Sequence, residues 1–211
     1  MGIHLALWIA AAMAGEPCPC GAAPPRCPPP PALAAAAENL ARRAAVTASA
    51  EFNEDYRAKY AVDGVVPCAG GHADAGRAWC VRKGKSGDAA TFTLQWPAPI
   101  EAREVVYWGR TAWFLEECWK DYEVYLDDAR RPAAKGTFQK RHGPQRVALG
   151  GKVRLAKMVL KFLNSYGGPN PGASEIQVFA DPPSERQLAE SVKVPRSDFD
   201  LPPMPWVDWP G

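Results

Sequence analysis

From Val46 onward the apolar positions fall into short runs separated by turn residues, the pattern of an all-β sandwich. Residues 91–96 place Phe92, Leu94 and Trp96 on one face, and residues 122–126 do the same with Tyr122, Val124 and Leu126. Side chains alternate across a strand, so these faces are predicted core. Residues 105–108 and 158–163 are nearly continuous apolar runs, the form expected of central strands covered on both sides. Asp127-Asp128-Ala129-Arg130, His142-Gly143-Pro144 and Gly150-Gly151 supply turns between them. Residues 33–45 are alanine-rich, and propensity alone predicts helix there.

The run from Ser165 to Phe179 is the most informative. Gly167, Gly168 and Gly172 can take positive φ, and Pro169 and Pro171 fix φ, so the loop is tight and rigid. It turns at once into alternation, with Ile176 and Val178 on one face and Gln177 on the other. The loop thereby delivers a carboxylate, Glu175, at the mouth of a strand. Ala61-Val62-Asp63-Gly64, about a hundred residues earlier, is a second turn of the same kind, and the two turns read as ends of one sandwich brought side by side.

A chain of 211 residues with 47% hydrophobic and 10% aromatic residues allows one medium domain plus tails. The formal charge of +2 is dispersed in dipeptides such as Arg42-Arg43, Arg130-Arg131 and Lys140-Arg141, with no continuous footprint for a phosphate backbone, so nucleic acid is not an expected partner. Residues 3–14 form an apolar run closed by Ala12-Met13-Ala14, the small-x-small form of a signal peptide. Export is therefore expected, with residues 1–14 removed and the protein secreted, cell-surface associated or periplasmic. Only His4 stands where basic residues usually precede such a run, and a frayed N-terminal helix is the alternative. No later segment has the roughly twenty apolar residues of a spanning helix. Residues 15–37 are dominated by Pro, Ala, Gly and Cys and read as a semi-rigid leader; residues 38–181 form the expected sandwich. Residues 182–211 form a tail ending in a Pro- and Trp-containing stretch with Trp206 and Trp209, expected to fold back over the domain or to serve as an interaction peptide.

Six cysteines in an exported chain read first as disulfides. Cys68 and Cys80 bracket a glycine-rich loop and are the expected pair, worth about 3 kcal/mol of unfolded-state entropy. Cys18, Cys20, Cys27 and Cys118 are left unassigned, and a metal site built by Cys18, Cys20, Cys27 and His72 is the alternative use.

In order along the chain, Asn39-Leu40-Ala41 with Val46-Thr47-Ala48-Ser49, Ala61-Val62-Asp63-Gly64, Trp79 and Phe92-Thr93-Leu94-Gln95-Trp96 are followed by Val105-Val106-Tyr107-Trp108-Gly109. Tyr122-Glu123-Val124-Tyr125-Leu126, the strand around 160–163 and the run from Gly172 to Phe179 complete the series. Over residues 39–180 the chain resembles the discoidin domain, also called the coagulation factor 5/8 type C domain, of the galactose-binding-like superfamily, and is similar to family 32 carbohydrate-binding modules. The resemblance makes Asn39-Leu40-Ala41 the entry to the first strand, against the helix propensity. It implies an eight-stranded jelly-roll β-sandwich that is exported and binds a ligand through loops at one end. It also implies a structural calcium ion held by the side chains of Asp63 and Glu175 and by carbonyls near Tyr60, Val65 and Ser174. Backbone carbonyls in tight turns suit a hard cation that takes six to eight oxygens. The Ser or Thr usual after the Asp-Gly turn is missing, and Asp74 is its candidate substitute. The alternative is that Asp63 caps a turn and Glu175 accepts local N–H bonds.

Sugar recognition needs an aromatic platform and donors fixed on rigid loops. Residues 109–119 offer Arg110 as a planar donor and Trp113 and Phe114 as platforms; His142, Asn164, Tyr166 and Asn170 are secondary candidates. Trp119 reads as core, and Trp113 beside Arg110 could instead be a cation–π pair. Glu116-Glu117 and Asp127-Asp128 look paired, but neighbours on a strand face opposite ways, so they read as solvated charges. No Gly-x-Ser-x-Gly, His-Glu-x-x-His or P-loop is present, which argues against an enzyme. The expectation is a non-catalytic carbohydrate-binding module. A structural or protein-adhesion domain is the alternative, followed by a binder of anionic phospholipid.

Overall fold

Two long antiparallel strands organise the chain, as seen in a computed structural model that describes residues 37–71, 73–82 and 89–195. Residues 1–14, expected to be a signal peptide, Cys18, Cys20 and Cys27 of the expected leader, His72, and the tail tryptophans Trp206 and Trp209 lie outside the described residues.

The strands are β1 (Ala45–Ala48), β2 (Trp79–Cys80), β3 (Ala90–Gly109), β4 (Asp121–Leu126), β5 (Ala134–Thr137), β6 (Pro144–Phe162) and β7 (Gly172–Phe179). Their order is β2-β7-β3-β6-β4-β5, with β1 also pairing to β3, and every named pair is antiparallel. The first part of β3 pairs with β1 and the end of β6; its last part pairs with the start of β6 and with β7. The register shifts between Gln95 and Ile100, where Pro97 and Pro99 cannot donate to the ladder. A second shift, between Ala102 and Glu104, puts its extra residues on β6 between Ala148 and Val153, where Gly150 takes φ +77°. Each long strand thus serves both layers of the sandwich. Seven strands are described where eight were expected, and β3 and β6, at 20 and 19 residues, are far longer than the rest.

The helix that propensity predicts over residues 33–45 is overridden in its described part. Asn39 Oδ1 accepts the Ala41 N–H at 3.1 Å and caps a single 3-10 turn, Leu40–Arg43, before the chain enters β1. Burial decides this, because the turn drives Leu40 and Ala41 into the core.

The core lies between the layers. Phe92, Leu94, Trp96 and Val124 are buried in it, with Tyr122 and Leu126 packed against it. Trp119 is fully buried and stacks on Phe162 with ring centroids 5.1 Å apart, while Trp79 meets Phe92 edge-on at 5.2 Å. Residues 105–108 are covered on both sides, as expected. Val105 and Tyr107 face the main core, and Val106 and Trp108 join a second cluster with Val66, Phe179 and Leu188. Residues 158–163 are not covered on both sides: Met158, Leu160 and Phe162 are buried, but Val159 and Lys161 are half-buried and Leu163 is exposed.

Leu188 comes from a short helix, α1 (Glu185–Glu190), which a capping box of Ser184 and Gln187 starts. Trp108 Nε1 donates to Gln177 Oε1 at 3.0 Å, and Gln177 Nε2 donates to Ser191 Oγ at 2.8 Å, which ties the end of α1 to β7.

Candidate functional site

Four loop segments are joined by bonds where β3 ends and β7 begins. The Gly70 N–H donates to the Ala112 carbonyl (2.7 Å), the Gly168 N–H to that of Glu116 (2.9 Å), and the Arg110 N–H to that of Gly172 (3.2 Å). Thr111 Oγ1 pairs with His142 Nδ1 at 3.1 Å, and Lys140 bridges to Glu116 at 2.9 Å. From this base Trp113 and Phe114 project, each 49% exposed, with ring centroids 5.5 Å apart; Leu115 beside them is also exposed. Phe114 precedes a single 3-10 turn, Leu115–Glu117, and its carbonyl accepts the Glu117 N–H at 3.2 Å. An apolar pair this exposed, on a loop this firmly tied, is a ready platform for a ring.

Arg110 does not face solvent with them. Its Nε lies 2.7 Å from Asp74 Oδ2 in an ion pair, off the line of a hydrogen bond. Its Nη1 pairs with Glu117 and donates to the Asn170 carbonyl at 3.2 Å. The Tyr56 ring lies 4.9 Å from the guanidinium carbon, and the Tyr56 hydroxyl donates to Asp74 Oδ1 at 2.9 Å. Tyr56 is thus a cation–π partner of Arg110. Glu117, read from the sequence as a solvated charge, is buried; burial first, and Asp74 among its neighbours, push its carboxyl up to about 7 against the pull of Arg110. Glu116 does lie at the surface.

The other predicted contact residues divide. His142 is half-buried against Thr111, and burial lowers its pKa, so the imidazole is neutral at pH 7. Asn170 borders the Arg110 cluster. Asn164 and Tyr166 hold the scaffold instead: Asn164 Oδ1 accepts the Asp121 N–H at 3.0 Å and its Nδ2 donates to Asp121 Oδ2 at 2.8 Å, and the Tyr166 hydroxyl donates to the Phe138 carbonyl at 2.7 Å. Asp127 accepts the N–H groups of Ala156 and Lys157, and Asp128 pairs with Lys157, so both anchor a turn.

Asp63 and Glu175 meet elsewhere on the domain. Glu175 is fully buried; Oε1 accepts from Asn39 Nδ2 and Oε2 from the Gly64 N–H, both at 3.0 Å. Asp63 Oδ1 accepts the Val65 N–H at 2.9 Å, closing the turn in which Gly64 takes φ +81°. These are the bonds of the capping alternative. The two carboxylates also feel one another, since burial and then the Asp63 charge raise Glu175 to about 8, with Gly64, Arg42 and Asn39 opposing. Burial likewise raises Asp63. Two carboxylates that feel one another, Glu175 buried and Asp63 half-buried, are oxygen donors of the kind a hard divalent cation takes. Asp74 is not part of it, being committed to Arg110 and Tyr56. Among the described residues no group of three or more His, Cys, Asp or Glu side chains is arranged around a metal position.

The bridge expected between Cys68 and Cys80 is not formed: both are free thiols, as is Cys118. Cys80 is held in β2 opposite Gly172 with its thiol facing the Arg110 cluster, where burial pushes it up to about 12. Cys68 sits half-buried in a separate turn against Gly71.

Comparison with known proteins begins with a partial match. A family model described as a domain of unknown function, DUF7402, matches residues 39–114. No curated protein matches the chain. Solved structures match well in shape. CpGH89CBM32-5 from Clostridium perfringens, in complex with GalNAc-β-1,3-galactose, superimposes with a TM-score of 0.55 at 18% identity, covering 68% of this chain and all of that one. The family 32 module of C. perfringens NanJ, in complex with galactose, gives 0.54 at 13%, over 66% and 95% of the two chains. A Streptococcus pneumoniae fucose-binding module gives 0.53 at 19%, over 69% and 96%. The chain has the discoidin-like, galactose-binding-like β-sandwich fold of family 32 carbohydrate-binding modules.

Within this discoidin-like sandwich, Tyr56 went unnoticed from the sequence, while Asp74, expected near calcium, and Glu117, expected as a solvated charge, turn out to partner Arg110. Nothing local marks them, because Tyr56, Asp74 and Arg110 are far apart in sequence and meet only through the packing of three loops. The one available signal was the spacing of Arg110 and Glu117 at either side of an apolar triplet.

Proposed function

We propose that this protein is an exported, non-catalytic module that binds carbohydrate of a cell surface or extracellular polysaccharide through the loops around Trp113 and Phe114. The observation that carries this reading is that exposed aromatic pair, raised on a loop whose base is pinned by Arg110, Glu117 and the Ala112 carbonyl. Trp113 and Phe114 would stack on the apolar face of a sugar ring, while His142 and Asn170 lie on neighbouring segments as hydroxyl partners. Arg110, Asn164 and Tyr166 would act from within, as supports of the loops. The fold supports the reading, since the similar modules from Clostridium perfringens were solved with a galactose-containing disaccharide and with galactose.

Asp63 and Glu175 would hold a structural calcium ion, with carbonyls near Tyr60, Val65 and Ser174; the bound ion would supply positive charge to a buried acidic corner and stiffen two turns.

The test is a glycan-array screen of the full chain, with and without a calcium chelator, beside Trp113→Ala. Binding to a defined sugar class that Trp113→Ala abolishes is expected. A folded protein that binds no glycan would overturn the reading and favour protein adhesion, for which the extension of the apolar tip by Leu115 is the supporting observation.

A further inference from the structure

The base of the 110–117 loop is closed by charge. Asp74, Arg110 and Glu117 side chains are only 8%, 14% and 5% exposed, and two carboxylates share one guanidinium. With both ionised, the cluster holds one net negative charge where little water reaches it.

The groups that face it are few. Tyr56 donates its hydroxyl to Asp74 and lays its ring beside the guanidinium; Cys80 contributes a thiol held neutral by burial. The 165–171 loop brings the Asn170 carbonyl to Arg110 and the Asn170 N–H to Glu117. Lys140, the cation on the next loop, is paired with Glu116 instead.

Glu117 is also mechanically joined to the tip. Its N–H holds the Phe114 carbonyl, and the adjoining Glu116 carbonyl holds Gly168. A Cβ on Gly168 would stand 2.7 Å from the Glu117 nitrogen, so the two loops touch backbone to backbone there. A change in the state of Glu117 therefore bears on both.

We propose that Asp74, Arg110 and Glu117 form a proton-operated buttress: uptake of one proton at Glu117 cancels the excess charge and tightens the loop that carries Trp113 and Phe114. Protonated Glu117 still accepts from Arg110 through its carbonyl oxygen, and Asp74 keeps the ion pair, so no bond of the base is lost on acidification. The direction follows from linkage. The folded-state carboxyl titrates at about 7 against an ordinary 4.5, so the folded loop holds the extra proton between those values. The stability this group contributes is present below about 4.5, falls as pH rises through the window, and is lost above about 7. Asp74, Arg110 and Glu117 are positioning residues here, acting on ligand only through the aromatic tip. The consequence for affinity, tighter binding below neutrality than above it, rests on the reading of this end as the binding site.

The test is hydrogen exchange of the full chain at pH 6 and pH 8.5, corrected for intrinsic chemical exchange, read in peptides covering 110–118 and 165–171. Opening of these segments is expected to be about tenfold more frequent at pH 8.5. Glu117→Gln, which fixes the neutral form, should exchange slowly at both values. Asp74→Asn should shift the wild-type response to lower pH. Equal protection of the wild type at both pH values, or a Glu117→Gln profile that follows the wild type, would overturn the proposal. These readouts need no sugar. A blank glycan array would sink the binding reading and leave the exchange comparison to decide the buttress.

Discussion

The backbone of Gly172 lies so close to Trp79 that a Cβ on the glycine would stand 2.0 Å from the tryptophan carbonyl oxygen. The approach is imposed by the pairing of β2 on β7, which sets Cys80 opposite Gly172 and Trp79 opposite Ala173. Gly172 is not among the glycines at positive φ, so what it supplies is space and not backbone freedom. Gly172→Ala must push two backbones apart inside the core and is expected to cost about 3 kcal/mol or more. Urea unfolding measures this, and a loss below about 1 kcal/mol would show that the strands are not held as described.

Two tryptophans six residues apart should behave in opposite ways. Trp113 is half exposed at the loop tip, whereas Trp119 is fully buried against Phe162 and Trp79. Trp119→Ala is expected to cost about 3–5 kcal/mol through the cavity it leaves. Trp113→Ala should change stability by about 0.5 kcal/mol or less and yet remove glycan binding. Thermal melts of both variants, run beside the array, separate fold from function.

Glu175 predicts a coupling between pH and calcium. Its folded-state carboxyl is raised from 4.5 to about 8, so without metal its contribution to stability falls as pH rises through that window. Glu175→Gln should flatten this dependence and match or exceed the wild type above pH 8. Calcium needs the ionised form and must displace the proton, so millimolar calcium should raise the melting temperature more at pH 8.5 than at pH 6. A melting temperature unmoved by calcium at either pH would remove Asp63 and Glu175 as ligands and leave only the capping bonds they already make.

The helix α1 is a lid on the outer face of the sandwich. Leu188 is its buried side chain, covering Val106, Trp108 and Phe179. Leu188→Ala should cost about 2–3 kcal/mol and should increase binding of an apolar dye as that face opens. No gain in dye binding would mean that the cluster is closed by other residues.

Much of the fold was legible in the sequence because strands declare themselves locally. The alternation of Phe92, Leu94 and Trp96 marked a core face, and the unbroken run at 105–108 marked a strand covered twice. The same rule misjudged 158–163, because period alone does not tell which apolar residues find a second layer. Of the glycines in the 165–172 loop, Gly167 alone takes positive φ, at +105°. Gly168 and Gly172 are required by contacts with Glu117 and Trp79, and no loop motif shows a close approach to a distant segment.

The candidate site divides along the same line. Trp113 and Phe114 were visible as an aromatic pair in a loop, since exposure follows when an apolar doublet falls outside any alternating run. The role of Arg110 was not, because its partners Asp74 and Tyr56 precede it by tens of residues and Glu117 looked like an ordinary surface charge. The sequence by itself determined the class of fold, the strand faces and the two turns that carry Asp63 and Glu175, all properties of neighbouring residues and their periodicity. Only the tertiary structure decided which charges are buried together. Ion pairing and desolvation depend on distance in space, and chain order does not encode that distance until the loops have packed.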